Sequence, residues 1–389
     1  MILIGGYMKS VGIICEYNPF HNGHLYHINK VKELYPDYTI VLVMSGNFTQ
    51  RGDVSIINKW DKTEIALHYG VDIVIELPYV FATESADKFA KASIEILDQL
   101  NVDCIVFGSE SNNIEKLKEI ADIQLNNKKY DKLVKEYLSE GINYPTALSK
   151  AIYTLTNKKI DKPNDILALS YIREIIKQEA DIEPISIKRN NDYNSLELND
   201  GMTSASSIRY ALENNEDISS YVPDKTKEYL DNPMFNNNYF SLLKYKILTE
   251  KDLSIYQTVD EGIGSRIKKM ILKSNSLDEL IENVKTKRYT HNKIKRMLIH
   301  ILCGFTKKQA LKMKNSEYIR ILGFNENGRI YLNKVKKTSK LPIITGYSNI
   351  KSDILDLELK VSQIYYLVSK EKNKNYLMEL EYKHKPIIK

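Results

Sequence analysis

The sequence predicts an α/β fold, a doubly wound parallel sheet followed by a mostly helical, basic C-terminal domain, and three observations carry that expectation. Short runs dense in Val and Ile alternate with longer segments of helical period through the first half of the chain. Polar residues able to do chemistry gather immediately after each run. The charge also changes sign along the chain: 23 Lys and Arg face 32 Asp and Glu up to Ser220, and 33 face 18 from Tyr221 onward. A chain of 389 residues holds two domains with cores of their own, and the change of pattern divides it into residues 8–220 and 221–389.

Strands are expected at 11–16, 39–44, 71–76, 102–107 and 184–188. Each is nearly continuous in apolar, mostly β-branched residues, because a strand covered by helices on both faces is buried on both. Helices are expected between them at 24–34, 59–69, 85–100, 114–125, 144–154 and 166–178, where apolar residues recur at helical spacing. In such a sheet ligands bind beyond the carboxyl ends of the strands. Those ends are followed by YNPFHNGH, SGNFTQRGD, LPYVFATES, GSES and RNNDYN, which places the expected site there. From Tyr221 the pattern becomes amphipathic and Lys-rich, with a small strand expected at 329–331 or 341–344.

Composition excludes several classes. No stretch approaches eighteen consecutive apolar residues, so no membrane span is expected, and the start lacks the charged region and cleavage site of a secretory signal. Met8 reads as a natural start, with residues 1–7 an upstream extension. Cys15, Cys104 and Cys303 form no CxxC pair, so no disulfide and no structural zinc are expected and a reducing cytoplasm is the expected compartment. Most of the basic excess lies in runs such as RIKKMILK, KTKRYTHNKIKR and NKVKKTSK, interleaved with Tyr289, His291 and Tyr331. Such blocks suit a surface that meets nucleic acid, and they also suit solvated helix faces.

The stretch after the first strand raises the sharpest question, because His21 and His24 flank Asn22 and Gly23 at the start of a helix. Three roles compete. A metal site needs a ligand set that no nearby Cys or Asp completes. A structural histidine capping a loop is common, and for His27, deeper in the helix, that role suits best. Phosphate binding is the third: a strand, a tight turn and a helix start present free backbone N–H groups and a positive dipole end to an anion. Two imidazoles there can donate to a phosphate oxygen whose charge grows as the phosphorus is attacked. The segment TSASSIR supports this role, since its hydroxyls open a helix and Arg209 supplies a fixed cationic fork. No GK dipeptide occurs, so a Walker A loop is absent.

HNGH with a later SASSIR resembles the HxGH and ISSTxxR pair of the nucleotidylyltransferase superfamily, which is built on a Rossmann-like fold. The longer strings GIICEYNPFHNGHLYHI, VMSGNFTQRGD and NKWDKTEIALHYGVDIVIELP are similar to the tRNA(Met) cytidine acetate ligase family. That resemblance implies an ATP-dependent ligase that activates acetate as acetyl-adenylate and passes the acetyl group to N4 of the wobble cytidine of elongator tRNA(Met). ATP is implied as co-substrate with Mg2+ accompanying it, and no CoA. Carried over by motif, the ATP loop comprises Ile14, Cys15, Glu16, Tyr17, Asn18, Pro19, Phe20, His21, Asn22, Gly23, His24, Leu25, Tyr26 and His27. Gly108, Asn164 and Arg189 are implied as further nucleotide contacts, and Ser204, Ser206 and Ser207 as phosphate-side hydroxyls, although SASSIR departs from the superfamily pattern. His21, His24 and Arg209 are the expected catalytic residues.

The second strand-end loop suits the acetate or cytidine side, where Asn47, Gln50 and Arg51 could orient a carboxylate or the base, with Lys59 close by. Arg51 could equally stabilise the loop, and Asp53 could cap the next segment. For tRNA the expected contacts are Lys285, Lys287, Arg288, Lys293, Lys295 and Arg296. A nucleotidylyltransferase acting on a small phosphorylated metabolite would share the histidines but leave the basic half unexplained. A nucleic-acid-binding protein with a relict nucleotide site would leave the histidine pair idle. An acetyl-CoA-dependent enzyme would need a CoA pyrophosphate loop of the form (Q/R)xxGxG/A, and none is present.

Overall fold

The computed structural model of the protein describes residues 8–189, 203–260, 262–370 and 374–389. Residues 1–7 and residues 190–194 of the RNNDYN loop lie outside the described residues. The strands are β1 Ser10–Cys15, β2 Thr39–Ser45, β3 Ile73–Leu77, β4 Cys104–Ser109, β5 Glu183–Lys188, β6 Ile319–Phe324, β7 Ile343–Ile344 and β8 Ile387–Ile388. They form one sheet in the order β5-β4-β1-β2-β3-β6-β7, with β8 beside β6. The first five are parallel, as their apolar density predicts. β2 and β3 are buried at every residue, and each Val, Leu or Ile so enclosed contributes roughly 1.5–3 kcal/mol relative to exposure.

The chain leaves β1 toward β2 and β3, then crosses to the other side of β1 for β4 and β5. The order therefore reverses between β1 and β4, and the crevice above that pair is where an open parallel sheet holds a ligand. Helices Asn22–Leu34, Lys59–His68, Ala86–Gln99, Ile114–Asn126, Tyr144–Thr156 and Pro163–Gln178 fall within a few residues of expectation. Asn58, Asn113 and Asn143 start three of them by accepting backbone N–H groups of the first turn. A further helix, Lys128–Ser139, has no counterpart in the expected set. Asn127 ends the preceding helix and caps this one, so the two patterns run together in the sequence.

The C-terminal half divides in a way the sequence did not indicate. Helices Phe240–Thr249, Ile263–Ile271, Leu277–Val284 and His291–Cys303 pack around Leu243, Ile247, Ile267, Ile281 and Ile294 in a core of their own. The chain beyond them returns to the sheet: β6 pairs antiparallel with β3, and β7 and β8 pair with β6. The sheet thus crosses the expected division at residue 220. The small strand expected at 329–331 is instead part of helix Glu326–Val335, whereas the alternative at 341–344 contains β7.

A buried charge cluster holds the returning chain. Arg320, the second residue of β6 and 1% exposed, pairs with Glu381 and with Glu76 of β3 at 3.1 Å. Lys59 pairs with the same Glu76, with Glu381 at 2.7 Å and with Glu358 at 3.7 Å. Lys59, expected beside the small substrate, is therefore committed to the interior. Its neighbours are carboxylates from strands and helices far along the chain, which no local pattern could announce.

Candidate active site

The geometry of HNGH answers why two histidines stand three residues apart. His21 is the N-cap of helix Asn22–Leu34 and His24 is its third residue, and the two cap each other reciprocally. His21 Nδ1 accepts from the Gly23 N–H at 3.0 Å, and His24 Nδ1 accepts from the His21 N–H at 3.3 Å. With Nδ1 an acceptor in each ring, the proton sits on Nε2, and neither Nε2 has a protein acceptor among the described residues. The rings lie 3.8 Å apart between centroids. Gly23 is required because a Cβ there would lie 2.8 Å from His21 Cε1.

Burial pushes the His21 pKa down to about 3, with Arg189 and Arg209 adding to the effect, and burial pushes His24 well below its ordinary value. Both rings are therefore neutral N–H donors at neutral pH. His27, one turn on, also lines the cavity; burial pushes it down to about 4, and its Nε2 is buried without a partner. Among the described residues no group of three or more His, Cys, Asp or Glu could hold a metal ion.

These histidines wall a cavity of about 860 Å³ above the β1–β4 crevice. Ile14, Cys15, Glu16, Tyr17, Asn18, Gly23 and Tyr26 line it with them, as do Gly108, Asn164, Arg189 and Arg209. Gly108 permits Arg189 to lie across the end of β4, since a Cβ would meet Arg189 Cδ at 2.7 Å. Glu110 starts helix Pro163–Gln178 by accepting from the backbone N–H groups of Asn164 and Asp165, at 3.3 and 2.9 Å, and it also fixes Asn164 Nδ2 at 2.6 Å. Arg209 is aimed by the Asn18 carbonyl at 2.7 Å, which ties the SASSIR helix to the HNGH turn.

Within SASSIR the hydroxyls separate. Ser204 and Ser206 line the cavity; Ser204 also caps helix Ala205–Glu213 by accepting from Ser207 N at 3.1 Å. Ser207 is fully buried and lies off the cavity wall. Four residues of the expected ATP loop also face elsewhere. Pro19 is buried, Phe20 stacks on Tyr69, Leu25 packs in the core, and Asn22 holds the Ser220 carbonyl at 2.8 Å. These residues shape the turn from behind.

A model of the HIGH Nucleotidyl Transferase family matches residues 8–379. The tRNA(Met) cytidine acetate ligase of Geobacillus sp. (strain WCH70) is 41% identical over 98% of this chain and 100% of its own length. That of Caldicellulosiruptor saccharolyticus is 41% identical over 98% of each. This chain belongs to the tRNA(Met) cytidine acetate ligase family. The crystal structure of Thermotoga maritima TmcAL in its apo form superposes with a TM-score of 0.91 at 32% identity, over 98% of this chain and 99% of that one. The same protein bound with alpha-thio ATP gives 0.89 over the same shares.

In this tRNA(Met) cytidine acetate ligase family member the loop after β2 contributes differently from expectation. Gln50 and Arg51 line the cavity, but Asn47 is buried behind it, bonded to Ser362 Oγ at 3.2 Å and to the Lys59 N–H at 3.0 Å. Behind the cavity wall, fully buried, lies Lys62, which sequence reasoning passed over. Its Nζ donates to the carbonyls of Glu16, Ser45 and Gly46 at 2.8–2.9 Å and so ties the ends of β1 and β2 together. Burial pushes its pKa down to about 7.

The basic run reaches this loop directly. Gly52 has φ +80°, and a Cβ there would lie 2.5 Å from Arg296 N, so helix His291–Cys303 rests against the loop backbone. Lys295 pairs with Asp53 at 2.7 Å, and Arg296 donates to the Gln50 carbonyl at 3.1 Å. Asp53 also meets Arg209 at 3.5 Å. Burial alone would raise the Asp53 pKa, but Lys295 and Arg209 hold it down to about 2. Of the six residues expected to meet tRNA, Lys295 and Arg296 are thus turned inward. Arg296 lines the cavity together with Arg288 and Lys293, and Lys285 and Lys287 are exposed.

Proposed function

We infer that this protein is an ATP-dependent ligase that activates acetate as acetyl-adenylate and transfers the acetyl group to N4 of the wobble cytidine of elongator tRNA(Met). The observation that carries the reading is the pair of neutral imidazoles pinned by reciprocal capping, each with Nε2–H left for a ligand, at the sheet's switch point beside Arg189 and Arg209. Acetate attacks the α-phosphorus of ATP in line, and charge grows on the oxygens of the transferring group and on the departing pyrophosphate. His21 and His24 donate to those oxygens without the penalty of ionising in a buried place, and the helix N-terminus adds its dipole. Arg209, Arg189, Ser204 and Ser206 hold the phosphate chain. Mg2+ arrives with ATP as part of the substrate.

The second step needs the cytidine amine beside the mixed anhydride, with water kept out. Gln50 and Arg51 line the cavity and would orient the small acyl group or the base, while Arg288 and Lys293 line it from the basic half. The charge of that half and the names of the relatives support elongator tRNA as the acceptor. No helix among the described residues is long and apolar enough to cross a membrane, and the substrate's location argues for the cytoplasm.

The deciding experiment compares acyl sources. Free acetate with ATP is expected to acetylate elongator tRNA(Met) and release AMP and pyrophosphate, whereas acetyl-CoA without ATP yields no product. Product from acetyl-CoA alone overturns the reading. A second measurement addresses the basic surface. Replacing Lys285 and Lys287 by alanine is expected to weaken tRNA binding and to flatten its dependence on log salt by about one unit or slightly less for each phosphate no longer neutralised. An unchanged salt slope in a fluorescence titration assigns these lysines to helix solvation instead.

A further inference from the structure

The transfer step must dispose of a proton. As the cytidine N4 attacks the acetyl carbonyl carbon, a C–N bond forms and the bond from that carbon to the phosphate oxygen breaks, with the electron pair leaving on AMP. The nitrogen that began as an amine ends as an amide and has lost one proton. An aromatic amine is a weak nucleophile, so a placed acceptor for that proton accelerates the step. Few groups in the cavity can serve, and the Nε2 of His27, though its ring lines the wall, is itself buried. The imidazoles of His21 and His24 have spent Nδ1 on backbone N–H groups and carry their proton on Nε2. Lys62 lies off the cavity wall, held by three carbonyls.

Four carboxylates line the cavity, and three are committed. Asp53 is held by Lys295, Arg209 and Asn236. Glu84 pairs with Lys88 at 3.1 Å and accepts from Gln257. Asp87 pairs with Arg173. Glu16 differs: Oε1 accepts the Gln50 N–H at 2.6 Å, and Oε2 makes no hydrogen bond and no ion pair among the described residues. Its main chain is fixed as well, since Lys62 Nζ holds the Glu16 carbonyl at 2.9 Å. Glu16 follows the last residue of β1 and is only partly buried, on the cavity wall five residues before His21.

We propose that Glu16 is the catalytic proton acceptor of the acetyl-transfer step, taking the N4 proton on Oε2 while the Gln50 N–H holds Oε1. This assignment rests on the ligase reading above. The surroundings of Glu16 suit a general base, because burial raises its pKa, partly offset by Arg51, the Gln50 N–H and Lys62, with Asp53 adding to the rise. A carboxylate whose pKa is raised is a better base than an ordinary one.

The test separates the two half-reactions in Glu16→Gln and Glu16→Asp. Acetate-dependent exchange of pyrophosphate into ATP reads adenylation, and single-turnover acetylation of elongator tRNA(Met) by enzyme preloaded with ATP and acetate reads transfer. In the parent protein the transfer rate is expected to rise with pH along one limb and then level off. Glu16→Gln is expected to lose about a hundredfold or more in transfer, well beyond any loss in exchange, and to lose the limb. Glu16→Asp keeps the limb with a lower plateau. Equal losses in the two half-reactions, or a limb that survives in Glu16→Gln, overturn the assignment and leave the departing phosphate as the acceptor. A parent protein that shows neither exchange nor transfer sinks the ligase reading itself, and Glu16 with it.

Discussion

Replacing His21 or His24 by alanine is expected to lower acetyl-adenylate formation by about a hundredfold or more, the scale for removing one preorganised donor from a developing charge. The structure adds a complication, because the same two rings cap helix Asn22–Leu34. Loss of an N-cap alone costs about 1 kcal/mol of stability, so an inactive His21→Ala could simply be frayed at the site. His21→Asn resolves this. Asparagine is a strong N-cap and accepts the Gly23 N–H, yet its short amide does not reach where Nε2 stood. The expected result is near-parent stability in urea unfolding with the full loss of acetate-dependent pyrophosphate exchange. Full exchange activity in both His21→Asn and His24→Ala would show that the histidines are caps and nothing more. Because both rings are neutral with pKa values depressed far below 6.5, exchange should also show no break between pH 6 and 8 from these groups.

The second large effect is structural. Arg320→Met is expected to destabilise the protein by roughly 3–5 kcal/mol, because it strands Glu381 and part of Glu76 in the interior with Lys59 as their sole remaining cation among the described residues. Burial would raise the Glu381 pKa, but Arg320 and Lys59 hold it down to about 2, against an ordinary 4.5. The folded state therefore binds this proton less readily than the unfolded chain. The stability that follows is fully present above about pH 4.5 and is lost as the pH falls toward 2. In Arg320→Met that acid-sensitive component should shrink. The double variant Arg320→Met with Glu381→Leu is expected to recover part of the loss, since removing both partners leaves less buried charge than removing one. Urea unfolding at pH 7 and at pH 4 measures both effects. A single variant within 1 kcal/mol of the parent at pH 7 contradicts the account of how the C-terminal chain is held.

Much of the site was legible because its chemistry is local. The His21 to His24 spacing, Gly23 between them, and Ser204 at a helix start act through the backbone within one turn, so their order along the chain already contains the geometry. The five parallel strands were legible for a similar reason: a strand covered on both faces must be apolar throughout, and that leaves a mark on any single sequence. β6 left no such mark. Its run IRILGF has Arg320 inside it, and only a carboxylate pair brought from β3 and from near the C-terminus makes that arginine admissible in a sheet interior.

The sequence by itself determined the sheet's first half, the polar loops at the ends of its strands, the histidine pair and the polarity of charge along the chain. Tertiary structure alone decided which charged residues reach a ligand. Lys59 and Glu381 pair across 322 positions of sequence, and Lys295 and Asp53 across 242. Both lysines looked like solvent- or substrate-facing cations in their local runs. A charge is costly to bury without a partner and acceptable with one, so its fate depends on what folding brings beside it. That is a property of the assembled fold, which is why Lys59 and Lys295 turned inward while Glu16, with one oxygen left unpaired among the described residues, remained available to the cavity.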